Sequence, residues 1–239
     1  MGEVIVIVSG KGGTGKSMFA SNMGATLAKR GLSIALIDMN TGMRNLDLCL
    51  GLESSIVYDL TDAIIGICKT KQTMVRDRRF PGLCLISAPQ SRDKVRITPA
   101  EMKDFCQGIR HDFDYIIIDA PSGIGEEVKL ATVGADRAVI ITNPEHSAVR
   151  DADSIDNLLL RMGIRNRSIV INRVRYQLMG KGILPEPEEI AEMLQLPVSG
   201  IIQEDENILI STNMGIPLIM EEGSYFEKNF NQIIDRILL

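Results

Sequence analysis

Two lysines set in a run of glycines are the residues of this chain best placed to do chemistry. Ser9–Ser17 read SGKGGTGKS, directly after the apolar run Val4–Val8 and before a helix-competent stretch from Met18 to Arg30. From Gly10 to Ser17 the spacing is G-x-x-x-x-G-K-[ST], a loop that wraps phosphate groups. Glycines in such a loop let the backbone turn its N–H groups inward onto phosphate oxygens, and the following helix adds the positive end of its dipole. The expected cradle is therefore Gly10, Lys11, Gly12, Gly13, Thr14, Gly15, Lys16, Ser17 and Met18. Within it Lys16 is expected to reach the β- and γ-phosphates and Ser17 to ligate Mg²⁺. Lys11 occupies a position where the motif accepts almost any residue, and a solvated lysine is its plain alternative.

Carboxylates supply the second half of the chemistry. Asp38 and Asp119 each end an apolar run, the latter in Ile116–Asp119. Beside the phosphate loop both can orient the shell of a Mg²⁺ ion, directly or through the waters that this ion keeps. Each could instead cap the element that follows it. The turn after Asp119, Ala120–Gly125, is glycine-containing and lies where a departing phosphate could change its conformation.

The elements that must position these groups alternate between strand and helix. Strands are expected at Glu3–Val8, Ser33–Asp38, Leu83–Ser87, Tyr115–Asp119, Arg137–Thr142, Ser168–Asn172 and Val198–Gln203. Helices are expected near 17–30, 56–66, 98–110, 126–134, 147–162, 187–195, 205–214 and 223–238. Continuous apolar runs such as Tyr115–Ile118 mark strands buried on both faces. The implied fold class is α/β: a single-domain P-loop NTPase fold over residues 1–239, mostly parallel, with helices on both faces and ligand loops at the strands' carboxyl ends.

Composition bounds the function. The chain has 239 residues, 45% hydrophobic and only 4% aromatic with no Trp, so its core must be aliphatic. A net charge of −5 argues against a nucleic-acid-coating protein. Cys49, Cys68, Cys84 and Cys106 form no C-x-x-C pair and read as small buried hydrophobes of a reducing compartment. With no signal peptide and no apolar run of about 20 residues, a soluble cytoplasmic protein is expected.

Resemblance sharpens this picture. KGGTGKS, with its extra lysine, is the deviant Walker A pattern, and further matches run along most of the chain: Gly42–Leu48 (GMRNLDL), Val57–Asp59, Ser91–Lys94, Asp119–Ile124, Thr142–Glu145, Val149–Asp153, Ile171–Arg173, Glu204–Asp205 and Ser211–Asn213. The chain thus resembles the MinD branch of the ParA/MinD family, ATPases that position the bacterial division site. The resemblance implies ATP/ADP and Mg²⁺ as ligands, and a homodimer closed on ATP with Lys11 and Lys16 serving hydrolysis and Lys11 reaching across. It also implies a MinC-like inhibitor and a MinE-like or other topological regulator as partners, with the helix around Asp151 and Asp153 serving the partner surface. Adenine recognition is carried over to Asn172 and Arg173, helped by Gln203, Glu204 and Asp205. An Asn amide offers a donor and an acceptor to that base, though a buried Asn can equally serve loop backbone.

Two departures from the family pattern matter. Where it has Asp-x-Asp, with the second Asp positioning the attacking water, this chain reads Asp38-Met39-Asn40. Asn40 can hydrogen-bond a water but cannot take its proton, so slow hydrolysis is expected. Secondly, the family usually ends in a basic amphipathic helix that inserts into membrane. Here the stripe of Phe226, Phe230, Ile233, Ile234, Ile237 and Leu238 carries balanced charges, so it is expected to pack on the sheet; peripheral attachment to the inner face of the cell membrane would need a tail not seen here. Rival readings are a ParA-type partitioner, a flagellar-number regulator, and an ATP-dependent scaffold without useful turnover.

Overall fold

Parallel strands need crossovers, and the alternating strand and helix segments supply them. The computed structural model of the chain describes residues 1–90, 96–178 and 181–239. In chain order its elements are β1 (Glu3–Ser9), α1 (Lys16–Lys29), β2 (Ile34–Asp38), α2 (Leu46–Leu50), α3 (Leu60–Ile64), β3 (Val75–Arg76), β4 (Leu83–Ile86), α4 (Pro99–Ile109) and β5 (Tyr115–Ser122). Then come α5 (Glu126–Thr132), β6 (Arg137–Thr142), α6 (His146–Arg161), β7 (Asn166–Val174), α7 (Pro187–Leu194), β8 (Val198–Gln203), α8 (Glu206–Asn213) and α9 (Tyr225–Leu238).

The strands form one sheet in the order β3-β4-β2-β5-β1-β6-β7-β8, parallel except for β3. The chain winds to one side of β1 as far as β5, then crosses to the other side from β6 onward. The loop after β1 thus lies where the winding reverses, which is where ligand crevices open in such sheets. Register then does chemical work: β2 and β5 run side by side, and Asp38 at the end of β2 lies opposite Asp119 in the carboxyl-terminal half of β5, so the two carboxylates are neighbours.

Alternation on the central strands divides the core into two layers. Val4, Val6 and Val8 face Ala152, Ile155 and Leu159 of α6, while Ile5 and Ile7 belong to the opposite layer with Phe19, Met23 and Leu27 of α1. The C-terminal helix joins that second layer: Phe226, Phe230, Ile233, Ile234 and Ile237 are buried, and the Phe230 ring lies 5.1 Å from that of Phe19. Its apolar stripe is therefore spent on the sheet.

Several details differ from the expected layout, among them β5, which runs three residues past Asp119 to Ser122. The edge strand β3 has two residues, too few to show an alternating pattern, and it runs antiparallel to β4. Helix α2 was not expected, because five residues cannot display a 3.6-residue period. The helix expected over 56–66 is only Leu60–Ile64; the Asp59 side chain accepts from Thr61 and Asp62 N–H and fixes its start. Finally, β7 continues past Asn172 to Val174 through Arg173, whose φ of 58° is left-handed.

Candidate nucleotide and metal site

The turn from β1 into α1 begins the site. Gly15 caps α1 at φ 99°, and a Cβ there would lie 2.3 Å from Asn172 Nδ2, so only glycine permits this approach. Lys16 is the first residue of α1 and is 8% exposed. Its Nζ donates to Ser9 Oγ at 3.1 Å, and Ser9 Oγ in turn donates to the Lys11 carbonyl at 2.6 Å. Burial lowers the Lys16 pKa, partly opposed by the Asp119 charge. A desolvated ammonium of this kind attracts phosphate strongly.

Beside it lies a buried carboxylate pair. Ser17 Oγ donates to Asp119 Oδ2 at 2.6 Å, while Asp119 Oδ1 is buried without a partner among the described residues. Asp38 is saturated: Oδ1 accepts from the Asn40 backbone and side chain, each at 2.8 Å, and Oδ2 from Asn45 and Leu46 N–H at 3.2 and 3.1 Å. Asn40 Nδ2 also donates to Asp119 Oδ2 at 3.1 Å, bridging the two carboxylates. Burial raises the pKa of both, and the Asp38 charge raises that of Asp119 further. Oxygen donors with one unmet carboxylate oxygen suit a hard divalent ion that keeps waters and takes its remaining ligands from phosphate. Ser17 and Asp119 fit direct or near-direct ligation; saturated Asp38 fits a role through water or through the loop it ties down. Among the described residues no group of three or more His, Cys, Asp or Glu forms an all-protein metal cage.

An open cleft of about 1180 Å³ runs from this end to a recess between Asn172 and α8. It brings together Gly12, Gly13, Gly15, Lys16, Ser17, Met18, Asn40, Asn172, Arg173, Gln203, Glu204 and Asp205. Thr14, Asp38 and Asp119 are buried and Gly10 is half-buried against Asp151 of α6; none of the four lines the cleft. Asn172 is 2% exposed; its Nδ2 donates to the Thr14 carbonyl at 2.7 Å, and its Oδ1 is a buried acceptor without a donor among the described residues. The left-handed Arg173 next to it interrupts the β7–β8 register. Such a conformation costs a non-glycine residue roughly 1–2 kcal/mol and is tolerated where function over-determines it.

Lys11 does not line the cleft. Its Nζ donates to Glu145 Oε2 at 2.6 Å and to Ser147 Oγ at 3.3 Å, at the start of α6. Asp151 and Asp153 lie farther along that helix, Asp153 being exposed. The matching segment Ser91–Lys94 lies outside the described residues.

Other cleft residues were not expected as site residues, although Met43, Leu48, Thr212 and Asn213 fall in segments that carried the family resemblance. Leu209, Thr212, Asn213 and Met214 of α8 and its end line the recess opposite the phosphate loop, with Met43 and Leu48 nearby. Leu209 and Met214 are both 64% exposed, so neither is spent on the core. Arg175 was also missed; its guanidinium pairs with Glu204 across the cleft mouth.

Comparison with known proteins agrees with this geometry. The model for the CobQ/CobB/MinD/ParA nucleotide-binding domain matches residues 5–218. The septum site-determining protein MinD of Bacillus subtilis is 42% identical over 100% of this chain and 90% of its own. A chain of the MinC:MinD cell division protein complex of Aquifex aeolicus superposes with a TM-score of 0.91 at 36% identity, covering 99% and 96% of the two chains. The septum site-determining protein MinD of Pyrococcus horikoshii, solved with Mg-ADP, gives a TM-score of 0.87 at 25% identity over 99% and 96%.

Proposed function

This chain belongs to the CobQ/CobB/MinD/ParA nucleotide-binding family, and from that premise we propose that it is an ATP-dependent, dimerising switch for division-site placement that hydrolyses ATP slowly. The observation carrying the nucleotide assignment is the buried Asn172 Oδ1, which has no donor among the described residues and belongs to the side chain whose Nδ2 is tied to the phosphate loop at the Thr14 carbonyl. An amide oxygen accepts from the exocyclic amine of adenine, whereas guanine would set its own O6 against it. Buried polar groups that need one partner discriminate strongly against ligands lacking it.

Each remaining residue then has a task. The N–H groups of Gly12–Ser17 hold the phosphates, and Lys16 stabilises charge on the β- and γ-phosphates without prior desolvation. Bound Mg²⁺ supplies charge neutralisation between the phosphates. Ser17 and Asp119 would hold it, and Asp38 would orient its waters. Asn40 keeps its amide hydrogens on Asp38 and Asp119, so it has no proton-accepting group for the attacking water. Positioning and electrostatics alone still permit some turnover.

For Lys11 to serve a partner subunit's nucleotide, it must exchange Glu145 and Ser147 for phosphate. Both groups of the Lys11–Glu145 pair are 40–49% exposed, so the exchange costs little. A MinC-like inhibitor as partner is supported by the likeness to the chain in the Aquifex complex. A MinE-like regulator and recruitment to the inner face of the membrane extend the same reading. Among the described residues no helix is long and apolar enough to cross a membrane. The bridging geometry of Asn40 favours one second reading, an ATP-bound scaffold without useful turnover.

Competition for a fluorescent ATP analogue in the presence of Mg²⁺ tests the site. ATP should displace the analogue at least tenfold better than GTP; equal displacement would contradict the role of Asn172.

A further inference from the structure

Arg79 fastens together stretches of chain that are far apart in sequence. Its Nε and one terminal nitrogen donate to the two oxygens of the buried Asp77 carboxylate, at 3.0 and 2.6 Å. Its other terminal nitrogen donates to the Gly215 carbonyl at 2.8 Å, and the guanidinium also donates to the Leu50 carbonyl. Leu50 is the last residue of α2, and Gly215 lies just beyond α8. A cation there satisfies carbonyls that a helix end leaves unpaired. Packing reinforces the same junction. A Cβ on Gly215 would come within 2.6 Å of Gly51 N and Cα, so the two backbones touch where both glycines have positive φ.

The far ends of these two short helices reach opposite ends of the cleft. The start of α2 is held by Asp38, whose Oδ2 accepts from Asn45 and Leu46 N–H. The start of α8 is capped by Asp205, which accepts from Asn207 N–H at 2.8 Å and follows Gln203 and Glu204 in the cleft wall. A continuous line of contacts thus runs from the carboxylate beside the phosphate loop, through α2, across the Arg79 junction and along α8 to the base recess.

We infer that Arg79 is a positioning residue coupling the Mg²⁺-phosphate end of the site to closure of α8 over the base. This inference rests on the nucleotide reading above. The junction is over-determined by a bidentate ion pair, two carbonyl contacts and a glycine-to-glycine contact, so a shift of α2 is passed to α8 rather than absorbed. Contiguous packing alone does not demonstrate coupling; a change in linkage does.

The experiment is titration of the whole chain with fluorescent ADP, with and without Mg²⁺, for the native protein, Arg79→Gln and Arg79→Lys. Thermal melts verify the folded fraction. The ratio of the two dissociation constants measures the coupling, and Arg79→Gln is expected to shrink it by about tenfold, within the usual range of coupling energies. Arg79→Lys, lacking the planar fork, should recover only part of it. Amide exchange in α8 should slow on adding Mg-ADP to the native chain and much less in Arg79→Gln. If Arg79→Gln fails to fold, Asp77→Asn, which loosens the guanidinium and leaves it in place, should give the same loss in milder form. An unchanged ratio in a folded variant of lowered melting temperature would make Arg79 a structural pin and overturn the inference. No nucleotide binding by the native chain would instead overturn the reading beneath it.

Discussion

The two ends of the cleft are built from different materials. At the phosphate end, Lys16, Ser9, Asp38 and Asp119 are all buried at the carboxyl ends of central strands and bonded to one another or to backbone. At the base end one buried amide, Asn172, faces a helix, α8, with no buried residue. That helix is held at its start by the solvated Arg175–Glu204 pair and at its end by Arg79. Desolvated groups on strands fix charge to fractions of an ångström, which phosphate chemistry requires. A helix of low local stability can open to admit a nucleotide and close over it.

Breaking the phosphate end should have the largest effect. Lys16→Ala removes a desolvated cation and should weaken ATP binding by about 2–5 kcal/mol, seen as loss of saturable binding in calorimetry. At the base end, Asn172→Ala should cost about 1–3 kcal/mol of ATP affinity and flatten the preference over GTP, with the Thr14 carbonyl left unpaired. Outside the cleft, Glu145→Gln should change stability by less than about 1 kcal/mol, since the Lys11 pair is solvated. Its expected effect is instead to raise the ATP-dependent dimer fraction in light scattering, more at low than at high salt.

The smallest effect probes α2 directly. Burial pushes the thiols of Cys49, Cys84 and Cys106 up to about 12, so at pH 8 they should resist alkylation in the folded chain. Cys49 lies on α2, and its slow labelling should become slower still when Mg-ADP is bound. The sign of the pH effect follows from the same shifts. Unfolded thiols ionise near their ordinary value of 9.0 while folded ones keep their protons, so their contribution to stability holds below about pH 9 and declines as pH climbs toward 12.

Much of this division was legible in the residues themselves. Apolar β-branched runs leading to Asp38, Asp119 and Asn172 located three strands, although only Asp38 is a strand's last residue, and Gly10–Ser17 located the phosphate loop. What stayed hidden depended on contacts between distant segments. No local pattern told that Asn40 would bridge two carboxylates, or that Lys11 would turn toward Glu145. Helix α2 and strand β3 are too short to carry a period, yet α2 with Arg79 connects the two ends of the cleft. Nor did the amphipathic stripe of α9 alone say whether membrane or sheet would cover it; the close contact of Ile233 with Gly200 of β8 and the Asn229 and Arg236 hydrogen bonds to β8 carbonyls place it on the sheet.

The proposal most open to test is that this chain binds ATP-Mg²⁺ in its phosphate site but turns it over slowly because position 40 holds an amide. Phosphate release by the native chain and by Asn40→Asp, at equal concentration and saturating ATP-Mg²⁺, tests it directly. The account predicts turnover at least tenfold faster in Asn40→Asp, with ATP affinity little changed. Equal turnover would contradict it and place control of the attacking water at another residue.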